Sequence, residues 1–283
     1  MPPKKVLITV TTYPLPSRSH DELVCTAGIL ETGEMIRIYP VPLSFLGDLK
    51  GSGQVQNVKY TWIELDLKKR TDDFRPESHS PVNYDFRDLI IGERLDTKNN
   101  WQARKDVCLR NVYTNMDILI DDSKSPKNVS LAVFKPASIV RLEWVETERE
   151  WKNEWKNLRK QGDLFLPGKD PEIVIPKLPY KFSYVFTDET GKQRKLMIED
   201  WEIGALYWNC LARAKGDKVE AEAEALQKVK TKYEDEFKEK DLYLFMGTTR
   251  EWHMRRAKNP FVIIGVFYPK KEIPKVDLQT SLF

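Results

Sequence analysis

Glu64-Leu65-Asp66-Leu67-Lys68 carries side chains that could do hydrolytic chemistry. On a strand, the carboxylates of Glu64 and Asp66 could hold Mg²⁺ while Lys68 stabilises charge around an attacking water, as in a metal-dependent nuclease. The same alternation fits an amphipathic strand with a wet, charged face, and Mg²⁺ is implied only by the nuclease reading. A second group lies between Gly247 and Lys258. There Arg250, Arg255 and Arg256 could bind phosphates, Trp252 could stack on a base, and His253 could donate, accept or transfer a proton. The alternative is that Trp252 packs into a groove and the arginines pair with nearby acids.

A third group joins Arg37 and Tyr39, on one side of the strand Ile36-Arg37-Ile38-Tyr39-Pro40, with the loop residues Arg75, Glu77 and His79. Arg37 and Tyr39 would form a polar, aromatic platform on a β-barrel and Arg75 would clamp a phosphate, unless Arg75 and Glu77 simply pair with each other. Asp200 and Glu202 suit a helix start, where carboxylates cap the chain and oppose the dipole. Neither Gly-x-Ser-x-Gly nor Gly-x-x-x-x-Gly-Lys-[Ser/Thr] occurs, so the commonest serine-hydrolase and P-loop signatures are absent.

The elements that must position these groups read as α+β: a β-rich, barrel-like N-terminal half followed by a mixed α/β half. Strands are expected at Lys5 to Thr12 and Lys59 to Lys68, with a hairpin turning at Glu31-Thr32-Gly33-Glu34. Along Lys59 to Lys68 the residues Ile63, Leu65 and Leu67 share a face opposite Trp62, Glu64, Asp66 and Lys68. Residues 70–100 are polar and turn-rich and read as a long loop. Trp151, Trp155 and Leu158 fall at helical spacing in Glu146 to Gln161. A hairpin turns at Asp188-Glu189-Thr190-Gly191-Lys192, helices follow from Asp200 to Gly216 and from Lys218 to Lys240, and two apolar strands flank the Gly247 loop. This pattern divides the chain into a β-rich part over 1–161, a Pro-rich linker over 162–179, a mixed part over 180–269 and a tail over 270–283.

Composition narrows the class. With 41% hydrophobic and 31% charged residues, the chain reads as globular rather than disordered or membrane type, and no secretory signal is expected at Met1-Pro2-Pro3-Lys4-Lys5. Cys25, Cys108 and Cys210 are too few and too scattered for a disulfide framework, which fits a cytoplasmic protein. His20, His79 and His253 form no metal motif. A formal net charge of +3 argues against coating nucleic acid by charge alone, so any DNA contact must be a local patch.

The segments Thr12-Tyr13-Pro14, Arg37-Ile38-Tyr39-Pro40-Val41-Pro42, Arg75-Pro76-Glu77-Ser78, Asp200-Trp201-Glu202 and Gly247-Thr248 with Ile263-Ile264-Gly265-Val266-Phe267-Tyr268-Pro269 resemble motifs of a prokaryotic family of hypothetical proteins, a resemblance that implies no activity. The final Gln279-Thr280-Ser281-Leu282-Phe283 resembles the peptide by which bacterial DNA-processing proteins hold the replication sliding clamp. That resemblance implies a clamp partner, with Leu282 and Phe283 in an apolar pocket and the Gln279 amide on its rim. Thr280 stands where the common pattern prefers Leu. The expectation is a DNA-associated protein that binds or processes nucleic acid. A Mg²⁺-dependent nuclease and a non-catalytic RNA or modified-base reader are the alternatives.

Overall fold

The computed structural model describes residues 3–12, 23–42, 59–84, 86–150 and 176–272. The fold is α+β. Seven strands form the first sheet: β1 (Lys4–Thr11), β2 (Leu23–Leu30), β3 (Met35–Pro42), β4 (Thr61–Leu65), β5 (Leu67–Lys69), β6 (Ser78–Pro81) and β7 (Ile90–Arg94), in the order β5-β6-β3-β2-β1-β4-β7. β2 and β3 are the expected hairpin, and Gly33 at its turn has φ 93°, a conformation open to glycine at little cost. Only Asp66 separates β4, which pairs with β1, from β5, which pairs with β6. β5 at one end of the strand order and β4, one strand in from the other end, are therefore consecutive in sequence, and the sheet curls round into a barrel-like wall.

Alternation decides which side chains fill it. Val6, Ile8, Ile36, Ile38, Ile63 and Leu65 face inward and are fully buried. The opposite face of β1 and β2 carries Leu7, Ala27 and Ile29, and a register shift between Ile8 and Val10 turns Val10 to that face as well.

This outer face is covered by a second sheet. After helix α1 (Lys98–Cys108) come β8 (Val112–Tyr113), helix α2 (Met116–Asp122), β9 (Leu131–Phe134), β10 (Ser138–Glu146), β11 (Tyr180–Thr187), β12 (Gln193–Met197), helices α3 (Trp201–Arg213) and α4 (Lys218–Lys230), β13 (Tyr243–Thr248), the short helix α5 (Arg250–Met254) and β14 (Phe261–Phe267). The second sheet runs β14-β13-β9-β8 and packs Val133, Phe245, Ile264 and Phe267 on the barrel. Burying each such side chain is worth about 1.5–3 kcal/mol. Its other face joins a three-stranded sheet, β10-β11-β12, and helices α3 and α4 in the largest core, where Phe182, Tyr184 and Phe186 alternate inward along β11.

Local chemistry sets the helix starts. Asp200 caps α3 by accepting from the Glu202 N–H, and Asp217 with Glu220 forms a capping box on α4. The helical path then widens into a π turn at Thr231–Glu236, and Glu234 there accepts from the Leu142 N–H of β10 at 2.7 Å.

Two expectations about secondary structure change. The stretch expected as a long loop holds β6 and β7, and Glu146 ends β10 rather than opening a helix. Residues 151–161 of that expected helix lie outside the described residues. β10 pairs with β11 from Ser138↔Thr187 to Glu146↔Tyr180, so the strands on either side of the Pro-rich stretch are neighbours in one sheet. At the other end, Lys270 exchanges hydrogen bonds with the Asn100 side chain and Glu272 pairs with Lys105 at 2.6 Å. Among the described residues, no helix is long and apolar enough to cross a membrane.

Candidate nucleic-acid interface

Ile36 and Ile38 point into the barrel, so Arg37 and Tyr39 point outward, as the alternation requires. The outward face is nevertheless covered at Arg37, which is buried against β9 and β13. Its Nη1 donates to Ser130 Oγ at 2.8 Å and Ser78 Oγ at 3.2 Å, and its Nη2 donates to the Ser130 carbonyl at 3.2 Å. Both Arg37 and Arg75 reach the Thr248 carbonyl, at 3.5 Å and 2.7 Å. The two arginine groups singled out in sequence, the platform and the Gly247 loop, thus meet at one backbone oxygen.

Arg75 pairs with Asp73, not with Glu77. The Glu77 carboxylate instead accepts from the Ser130 N–H at 2.8 Å, the Ser130 hydroxyl at 2.6 Å and the Leu131 N–H at 3.3 Å. Burial alone would raise the Asp73 carboxyl, but the Arg75 guanidinium reverses this and holds it well below the usual range. Burial lowers the pKa of Arg37, which stays a cation because arginine starts so high. Two guanidinium groups and two carboxylates thus meet in this seam, with the Lys69 ammonium beside them on the Arg75 and Pro76 carbonyls. Tyr39 stays half-buried under Arg70, whose guanidinium carbon lies 5.3 Å from its ring centre.

Beyond Thr248 the chain makes α5, capped by the Thr249 hydroxyl on the Trp252 N–H. His253 on this helix is buried with both ring nitrogens engaged: Nε2 faces the Ser123 carbonyl at 2.6 Å and Nδ1 the Thr248 hydroxyl at 3.0 Å. A carbonyl can only accept, so Nε2 carries the proton and Nδ1 accepts from Thr248. Burial lowers the His253 pKa and keeps this neutral form. The ring in turn holds Phe74 edge-on, at a centroid distance of 4.9 Å and an interplanar angle of 79°.

Helix α5 closes with Arg256 N–H on the His253 carbonyl and Ala257 N–H on the Trp252 carbonyl, a Schellman pattern. Arg256 occupies its left-handed position, φ 51°, where glycine is usual. The guanidinium of Arg256 and the ammonium of Lys258 are exposed and have no ion-pair or hydrogen-bond partner among the described residues. Both edge a groove of about 680 Å³. Phe74, Ile120, Met254 and Pro260 supply its apolar wall, and Ser125 and Asn128 supply polar groups. The remaining arginines are tied: Arg250 donates to the Asp72 carbonyl at 2.5 Å and Arg255 pairs with Glu251 at 2.9 Å. Trp252 is half-exposed beside Arg255. Gly247 faces Ile264, whose Cδ1 would stand 2.9 Å from an added Cβ, so its small size serves strand packing.

Glu64, Asp66 and Lys68 lie away from this groove, on the outer side of β4 and β5. Asp66 engages its main chain between β4 and β5, its N–H donating to the Asp88 side chain and its carbonyl accepting from the Val82 N–H. Among the described residues, no three His, Cys, Asp or Glu side chains are grouped to hold a metal ion. His79 hydrogen-bonds the Glu77 carbonyl at 2.9 Å. Gln279, Leu282 and Phe283 lie outside the described residues.

Sequence reasoning missed one cluster altogether. Lys59 is buried between Asp200, at 3.3 Å, and Glu202, at 3.0 Å. Burial opposes its charge, but the two carboxylates more than compensate and raise its pKa. Asp200 is raised to about 7 by burial, Lys59 acting against the shift and Glu202 with it, and its Oδ2 has no partner among the described residues. The Asp200-Trp201-Glu202 signal was visible as a cap, but nothing in sequence linked it to Lys59.

The fold and groove define a protein with a curled β wall, a mixed second part and a basic, aromatic cleft between their loops. The chain belongs to the family described as "Domain of unknown function (DUF8757)", whose model matches residues 112–283. A second model, "Domain of unknown function (DUF8758)", matches residues 2–110. No protein of curated function matches the chain in sequence. Among solved structures the chain is similar to one described as "Structure of murine DNA binding protein bound with ds DNA", at 10% identity and a TM-score of 0.30, over 98% of this chain and 100% of that one. At that score the likeness carries no argument.

Proposed function

We propose that this protein binds nucleic acid, DNA in the first instance, through the groove beside α5. The observation that carries the reading is the pair of exposed cations, Arg256 and Lys258, which have no partner among the described residues and line a cleft walled by the exposed ring of Phe74. Arg256 is held in a left-handed conformation that costs about 1–2 kcal/mol relative to glycine. A strained position that presents an exposed guanidinium suits ligand contact better than fold maintenance. Phosphates would meet Arg256 and Lys258, while Arg37 and Arg75 hold the groove's base in place from behind.

Titration of fluorescent oligonucleotides at several salt concentrations tests this. Arg256→Gln and Lys258→Gln are each expected to lower the slope of log affinity against log salt by about 1. Unchanged slopes in both variants, or no binding at low salt, would overturn the reading.

The terminal Gln279-Thr280-Ser281-Leu282-Phe283 supports recruitment to a bacterial sliding clamp as a second, separable part of the proposal. A pull-down of the clamp by the intact chain, absent from a version ending at Lys275, is the expected result. Equal capture by both would remove the tail from the account.

A further inference from the structure

Resting on the nucleic-acid reading above, we infer that the groove receives one unstacked nucleobase against Phe74, so that the ligand is a single strand or a strand with an unpaired base. The space of about 680 Å³ lies in the range of small-molecule sites and suits a base with its sugar. Bases within a duplex are stacked on both faces and offer only their edges, whereas an aromatic wall contacts a base through its face.

Three features prepare the site for such a guest. Phe74 is 44% exposed, enough to stack, yet its ring is fixed by His253, which two hydrogen bonds fix in turn. Ser125 Oγ and Asn128 Oδ1 have no partner among the described residues, so a hydroxyl and an amide carbonyl are available to a base edge. The cations stand on the same rim, where the phosphate joined to that base would lie. The apolar wall, the free polar groups and the cations correspond in turn to the faces, the edge and the phosphate of one nucleotide.

The test uses the full chain and an oligonucleotide carrying 2-aminopurine, offered as a single strand, as a fully paired duplex and as a duplex with that base unpaired, with a nucleoside monophosphate as competitor. The single strand and the unpaired base are expected to bind at least about tenfold tighter than the paired duplex and to change the probe's fluorescence. Phe74→Ala should lose about tenfold in affinity for the single strand with the salt slope unchanged, and Phe74→Trp should retain it. Equal affinity for all three nucleic acids, or an unaffected Phe74→Ala, overturns the base-binding inference. If Arg256→Gln still lowers the salt slope, the nucleic-acid reading survives that result. Binding of the monophosphate but of no strand makes the site a nucleotide pocket and overturns the inference. Absence of all binding overturns both.

Discussion

Two charged seams join the barrel to the rest of the molecule, and they are built on opposite principles. At Arg37 and Arg75, two guanidinium groups meet two carboxylates, and the donors and acceptors are matched over backbone and side chains of β3, β9 and β13. At Lys59, one ammonium meets two carboxylates, and Asp200 Oδ2 is left without a partner among the described residues. The first seam has its desolvation offset by hydrogen bonds on all sides. The second retains an excess negative charge in a buried place, which a proton can cancel. Matching gives rigidity, and mismatch gives sensitivity to conditions.

The largest expected effect breaks the matched seam. Arg37→Leu would strip donors from the Ser130 and Thr248 carbonyls and remove the buried cation beside Glu77 and Asp73. Denaturant unfolding should show a loss of about 3–5 kcal/mol, and a loss below about 1 kcal/mol would mean the seam is not structural.

Next is pH, where the seams should differ in sign. The Asp200 carboxyl, raised to about 7, faces Lys59, Glu202 and the tyrosines Tyr184, Tyr233 and Tyr268. Folded Asp200 holds a proton that the unfolded chain releases above the ordinary value of 3.8, so its contribution to stability is complete below that value and is lost as pH rises towards about 7. Asp73 is depressed, so its contribution is present above 3.8 and is lost as pH falls. Stability curves of Asp200→Asn and Asp73→Asn, each subtracted from that of the parent, should slope in opposite directions, by at most about 1.4 kcal/mol per pH unit. Parallel difference curves would end the contrast.

The smallest effect sharpens it. Arg256→Gly should leave both seams intact and stabilise the fold by up to about 1 kcal/mol in thermal unfolding, while lowering the salt slope of nucleic-acid binding. A destabilised Arg256→Gly would show that the arginine holds the helix end instead.

Much of the fold was legible where one strand or helix decides its own outcome. The alternation in Thr61 to Leu67 placed Ile63 and Leu65 inside, Asp200 marked a helix start, and Gly33 marked a turn. β6 and β7 were not legible, because both are short, β7 lies at the sheet edge, and their His79, Ser80, Glu93 and Arg94 break any alternation. α1 begins with left-handed Asn99, Asn100 and Trp101, which no helical period announces. For the candidate site, the sequence singled out Arg256 as a proposed contact and turned Arg37 out of the barrel as the structure does, but covering Arg37 needs Ser130 and Thr248, 93 and 211 residues away. Phe74 joins α5 only through folding, as does the Lys59 contact with Asp200 across 141 positions. Such long-range closure leaves no local pattern.

The two family matches meet at 110–112, and the matched seam straddles that junction: Arg37 and Arg75 precede it, whereas Ser130 and Thr248 follow it. A gene that acquired one side from a distant lineage would inherit guanidinium groups without the carbonyls placed to receive them. Its penalty would come at folding, before any ligand is met, so ancestry should pass both sides on as a single heritable unit.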